Sequence, residues 1–132
     1  MGRSKAKGYR YERELVEWLW RRGYAATRIP ASGAANKHPV PDIVAGNGRV
    51  YLAIELKMRA GARFYVSKSQ VERLYVFARR FGATPLVVFK IPYVEYKAII
   101  VEEPATIRVS KDEFQKMSRL SEILEALEAN GN

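Results

Sequence analysis

Glu55 and Lys57 stand two residues apart inside Val50 to Met58, where Tyr51, Leu52, Ala53, Ile54 and Leu56 make an almost continuous apolar run. Such a run reads as a central strand covered on both faces, and residues i and i+2 of a strand emerge on the same face. Charges placed there are costly unless they are paired or bind a cation. Asp42 opens the preceding strand directly after Pro41. The Asn47-Gly48 step between the two runs is a strong hairpin signal, so Asp42 and Glu55 are expected to converge at one end of a sheet. Two carboxylates with no imidazole or thiolate beside them form a hard, oxygen-rich site suited to Mg²⁺ or Mn²⁺ and not to Zn²⁺.

Glu12 is a third charge out of place. It lies three, four and seven residues before Leu15, Val16 and Leu19, on the apolar side of a first helix, where a carboxylate needs a partner. A metal site on the sheet beneath that helix would supply one. Each feature has an ordinary explanation alone, since a Glu-x-Lys pair is commonly a solvated ion pair and Pro-Asp commonly opens a turn. Their order along the chain points to function. Phosphodiester hydrolysis fits: divalent ions neutralise the phosphate, lower the pKa of a bound water and stabilise the leaving oxygen. Asp42 and Glu55 would hold the ions, with the carbonyl of Leu56 as a further ligand. Lys57 would orient or deprotonate the water, or stabilise developing charge; the sequence leaves these roles open. No phosphate-binding glycine loop is present, which argues against an NTP-driven engine.

The elements that must position these groups follow from periodicity. Tyr11, Leu15, Trp18 and Leu19 mark one face of a helix through the first 23 residues, stopped at Gly23. Tyr24 to Ile29 reads as a strand, and residues 30–40, rich in small and turn residues, as a flexible loop. Asp42 to Ala45 and Val50 to Met58 form the hairpin. A second helix runs from Ser67 to near Gly82, and strands are expected at Leu86 to Ile91 and Tyr96 to Val101, with a short edge strand at Thr106 to Val109. Ser110 with Glu113 makes a capping box for one last helix over 111–129, lined on one side by Phe114, Met117, Leu120, Leu124 and Leu127. The expected class is α/β, a mixed five-stranded sheet flanked by helices in a single domain spanning 1–132.

Composition bounds the chemistry from the other side. The 132 residues include no cysteine and one histidine, His38. This excludes disulfide scaffolds, thiolate zinc sites, cysteine nucleophiles and HEXXH-type metal sites. The 23 Lys and Arg exceed the 14 Asp and Glu, giving a net charge of +9. The excess sits in residues 1–101, which hold 19 basic and 7 acidic residues, whereas 102–132 hold 4 and 7. A basic body of this kind suits a polyanion. The basic start has no apolar segment after it, Ala6 breaks the myristoylation pattern, and apolar runs such as Leu86 to Phe89 are too short to span a bilayer. A cytoplasmic, nucleoid-associated protein without membrane contact is expected.

Pro41-Asp42, followed by Glu55-Leu56-Lys57, resembles the PD-(D/E)xK nuclease signature. More narrowly, the chain resembles archaeal Holliday-junction resolvases of the Hjc type over nearly its whole length. The likeness is carried by Lys7-Gly8 with Glu12-Arg13, Arg28 to Gly33, Pro41 to Ala45, Ile54 to Lys57, Tyr65-Val66, and Phe77 to Gly82. It implies a restriction-endonuclease-like core and a homodimeric, Mg²⁺-dependent endonuclease that cuts two opposed strands of a four-way DNA junction in recombination and repair. It further implies that Glu12, Ser32, Asp42, Glu55 and Lys57 form the active site, with Glu12 joining the metal ligands. A nuclease for duplex or flap DNA and a non-catalytic DNA-binding module remain the alternatives.

Recognition by shape would fall to phosphate contacts from Lys5, Lys7, Arg10, Arg13 and Arg28 near the site, and from Arg59, Arg63 and Lys68 beyond it. Ser32 and Lys37 lie on the loop that would close over the bent strand, and His38 reads as a loop or phosphate contact. The second helix is apolar around much of its surface: Val71, Leu74, Tyr75 and Ala78 make one stripe, and Leu74, Phe77 and Phe81 another. The second stripe, expected as the dimer interface, suits a two-fold partner. Nothing in the sequence identifies a sliding clamp or helicase partner.

Overall fold

The order of elements is α1 (Gly2–Arg21), β1 (Ala25–Arg28), β2 (Ile43–Gly46), β3 (Tyr51–Met58), β4 (Phe64–Val66), α2 (Lys68–Phe81), β5 (Thr84–Lys90), β6 (Lys97–Ile100), β7 (Ile107–Val109), α3 (Lys111–Lys116) and α4 (Leu120–Asn130). The computed structural model describes the backbone of residues 2–30, 37–61 and 63–130, and side chains from residue 9 onward within those ranges.

Five strands form one mixed sheet in the order β1-β2-β3-β5-β6. Only β3 and β5 run parallel, because α2 carries the chain back between them; the other pairs are antiparallel. The turn from β2 to β3 forms as its sequence predicts. The Asn47 side-chain oxygen accepts the N–H groups of Arg49 and Val50 at 2.9 and 2.6 Å, and Gly48 takes φ 92°, a conformation that costs a side-chain-bearing residue. The central strand is covered on both faces as expected. Leu52 and Ile54 pack on one side with Leu15, Leu19, Leu120 and Leu124; Ala53 packs on the other with Val71, Leu74, Ala78, Val87 and Phe89.

The second helix is bounded as read. Ser67 and Gln70 exchange capping-box hydrogen bonds, and Gly82 at φ 85° closes the end. Its Val71, Leu74 and Ala78 face the sheet. Leu74 is only 2% exposed, so it is core and unavailable to a dimer interface, contrary to expectation. Leu74 packs in the cluster that joins the helix to β3 and β5.

Two further expectations are corrected. Residues 107–109 do not edge the main sheet; they pair antiparallel with β4, a strand the sequence reading missed, in a separate two-stranded ribbon. At three residues, β4 is too short for its alternation to stand out. The single helix expected over 111–129 is two helices broken at Met117 to Arg119. There the backbone turns to the edge of β6: Ala98 N–H donates to the Ser118 carbonyl at 3.2 Å, and Leu120 N–H to the Tyr96 carbonyl at 2.9 Å. The break lets the apolar residues serve both layers, Phe114 on the α2 side and Leu120 and Leu124 on the α1 side. The Ser110–Glu113 capping box forms. Of the expected loop over residues 30–40, 31–36, including Ser32, lie outside the described residues.

Candidate active site

The pairing of β2 with β3 ends at Ile43 opposite Ile54. Continued by one step, the antiparallel register sets Asp42 opposite Glu55, where side chains on one face lie close together. Asp42 is fixed by its neighbours. Its N–H donates to the Ile54 carbonyl at 3.0 Å, its carbonyl accepts the Ile29 N–H at 2.8 Å, and its carboxylate Oδ2 accepts the Leu56 N–H at 2.9 Å. That last bond pulls the carboxylate between the strands and leaves it buried. Alternation along β3 sets Glu55 and Lys57 on the Ala53 side, the face covered by α2. Lys57 Nζ lies 3.6 Å from Glu55 Oε2, both side chains being largely shielded from water.

The electrostatics follow from this crowding. Burial, reinforced by the negative charge of Asp42, pushes the Glu55 carboxyl up to about 8; the Lys57 ammonium opposes the rise. Two carboxylates in low dielectric cannot both ionise without cost, and a hard dication removes that cost. The donor set therefore fits Mg²⁺ or Mn²⁺, with Asp42 and Glu55 as the carboxylates. Leu56 commits its N–H to Asp42 and leaves its carbonyl as a further hard oxygen.

Glu12 sits differently from the expectation. Arg28 Nε donates to Glu12 Oε1 at 2.8 Å, and the Arg28 guanidinium lies over the Tyr9 ring at 4.3 Å. Burial raises the Glu12 pKa, the Arg28 hydrogen bond opposes this, and the charge of Asp42 adds to the rise. Glu12 thus feels the carboxylate pair electrostatically, yet among the described residues no three acidic or imidazole groups converge to hold one ion. Arg28, read from sequence as a phosphate contact, is the ion-pair partner of Glu12 and largely shielded.

The other expected contacts divide. Arg10 pairs with Glu14 at 3.2 Å. Arg13, Lys37, Arg59, Arg63 and Lys68 are exposed, and the His38 carbonyl accepts Arg73 Nη2 at 3.1 Å. The side chains of Lys5 and Lys7, and all of Ser32, lie outside the described residues. Phe77 and Phe81 stack at 5.1 Å, and Phe81 is 56% exposed. A groove of about 440 Å³ at the opposite ends of β2 and β3 from the carboxylates is lined by Trp20, Ala26, Val44, Gly46, Tyr51 and Phe81. At Gly46 a Cβ would fall 2.7 Å from Tyr51 Cδ1, so a side chain there would have to displace the Tyr51 ring. Among the described residues no helix is long and apolar enough to cross a membrane.

Comparison with known proteins bears on the fold and the family. Residues 3–131 match the family model described as archaeal Holliday junction resolvase (Hjc). The crossover junction endodeoxyribonuclease Hjc of Archaeoglobus fulgidus is 49% identical over 98 residues, 74% of this chain and 71% of that protein. Hjc of Sulfurisphaera tokodaii is 30% identical across 98% of this chain and 93% of its own. The crystal structure of Archaeoglobus fulgidus Hjc, a Holliday junction resolvase, superposes with a TM-score of 0.77 at 38% identity, covering 87% of this chain and 98% of that one. The mixed five-stranded sheet with flanking helices is thus a PD-(D/E)xK-type fold.

Proposed function

The chain belongs to the archaeal Holliday-junction resolvase family, and we propose that it resolves four-way DNA junctions by metal-dependent hydrolysis of two opposed phosphodiester bonds. The observation carrying this reading is the opposition of Asp42 and Glu55 at the open end of the β2–β3 pair, with Lys57 3.6 Å from Glu55. Mg²⁺, or Mn²⁺ in its place, would be held by Asp42, Glu55 and the Leu56 carbonyl, and would supply Lewis-acid neutralisation of the phosphate and a water of lowered pKa. Asp42 keeps its place through the Leu56 N–H. Lys57 lies where an ammonium can orient the attacking water or meet the charge that develops on the phosphoryl oxygens. Water gives up a proton as it adds to phosphorus, one P–O ester bond breaks, and the leaving oxygen takes up a proton. Glu12, clamped by Arg28, adds negative potential from the α1 side, and Ser32 belongs to the loop expected to close on the scissile strand.

Cutting both strands in one encounter requires two sites, and a two-fold homodimer provides them. Its surface is the groove of Trp20, Tyr51 and Phe81, whose apolar lining and exposed aromatic rings suit a second copy of the same face. This replaces the stripe through Leu74. A DNA substrate also fits the basic body of the chain and an intracellular, nucleoid-associated setting.

The test is Asp42→Asn, assayed on four-way junctions with Mg²⁺ and with EDTA. Asn keeps an oxygen for the Leu56 N–H but loses the charge, so binding should persist while cleavage is lost. Cleavage at the parent rate would refute the metal-site assignment. Equal parent rates on junction, flap and linear duplex would refute junction selectivity.

A further inference from the structure

The ribbon of β4 and β7 turns one face inward and one outward. Phe64, Val66 and Val109 are buried against the core, while Tyr65 and Arg108, directly paired across the ribbon, are exposed. The Arg108 guanidinium lies over the Tyr65 ring at 4.8 Å, a cation–π contact across the ribbon. Arg59, Arg63, Tyr65, Arg108 and Ser110 line a hollow of about 430 Å³. An adjoining hollow of about 290 Å³ shares Arg59 and Arg63 and adds Lys111.

These cations differ from several others on the surface. Arg10, Arg22, Arg28 and Arg119 all lie within ion-pair distance of a carboxylate. Among the described residues, no such pair includes Arg59, Arg63, Arg108 or Lys111. The acid bordering the hollow, Glu113, already accepts the Ser110 N–H at 2.8 Å. Four cations gathered around a single lining carboxylate keep a net positive potential, which a polyanion neutralises. The cluster is also joined to the catalytic end. Arg59 N–H donates to the Lys90 carbonyl at 3.1 Å, so Arg59 extends β3 beyond Met58 and, by alternation, continues the face of Glu55 and Lys57. Its Cα follows that of Lys57 by about 7 Å.

We propose that the outward ribbon face is a second backbone-contact surface, which grips the phosphates of a duplex arm as it leaves the catalytic end. The inference rests on the resolvase reading and extends it from the cut strand to the arm. Guanidinium forks match phosphate oxygens, and such contacts set register and orientation without reading sequence. Arg108 and Lys111 were not among the contacts expected from the sequence, because the ribbon that brings them to Arg59 and Arg63 was not legible there.

The experiment measures equilibrium binding, in EDTA, of the parent and of the double variant Arg63→Ala/Arg108→Ala to four-way junctions with long and short arms, over a range of salt. On long arms the variant should bind ~10-fold more weakly, with a salt slope shallower by about one to two phosphate contacts. On junctions whose arms end before the ribbon, parent and variant should bind alike. The charge-retaining Arg63→Lys/Arg108→Lys protein should recover the parent slope. Equal affinity and slope on long arms overturns the proposal, and so does an equal loss on short arms. A parent protein that binds no junction of either kind refutes the resolvase reading itself, a result distinct from failure at the ribbon.

Discussion

Replacing Glu55 by Gln should make the metal-free protein more stable while it destroys the enzyme. Burial and the charge of Asp42 raise the Glu55 carboxyl from 4.5 to about 8 in the folded state. A folded-state pKa above the unfolded one means the native protein holds its proton more tightly. The stability tied to that proton is fully present below about pH 4.5, lost as pH rises toward about 8, and flat beyond. At about 1.4 kcal/mol per pKa unit the ceiling is ~5 kcal/mol, a figure that already includes the attraction of Lys57. Water reaches part of the Glu55 carboxyl, so the realised gain should be on the order of 1–3 kcal/mol. Thermal unfolding in EDTA across pH 4.5 to 9 measures it. The two proteins should coincide near the acid end, and Glu55→Gln should unfold several degrees higher at the alkaline end. Mg²⁺ at ten times its dissociation constant should then stabilise the parent by ~1.4 kcal/mol and the variant far less, with cleavage reduced at least ~100-fold. If Glu55→Gln is the less stable protein at pH 9, the carboxylate pair is not under the strain described, and the argument for a dication at this site fails with it.

Phe81→Glu should yield a monomer by sedimentation at concentrations where the parent is a dimer; a variant that remains dimeric rules out the proposed groove. Tyr93 adopts φ 67° and is fully exposed in the turn after β5, so Tyr93→Gly should gain about 0.5–1 kcal/mol in urea unfolding by relieving the left-handed backbone. A loss would refute the strain assigned to this backbone conformation. Tyr24 is buried and its hydroxyl donates to Glu128 Oε2 at 2.6 Å, tying α4 to the chain ahead of β1. Tyr24→Phe should cost about 1–2 kcal/mol, and an unchanged unfolding midpoint would refute that role.

The amino-acid sequence alone determined the parts whose causes are local. The apolar run with two embedded charges made β3 a covered strand, Asn47-Gly48 set its hairpin with β2, and Ser67 and Gly82 bounded α2 through hydrogen bonds that reach only three or four residues. From these the convergence of Asp42, Glu55 and Lys57 could be reasoned, because hairpin register is local geometry. Which surfaces those elements share was set by long-range packing. It gave Arg28 to Glu12, put Leu74 in the core, broke the terminal segment so that Phe114 and Leu124 reach opposite faces of the sheet, and joined β7 to β4. Each of these joins residues far apart in the chain or competing for the same buried surface, and no short-range periodicity encodes the outcome of that competition.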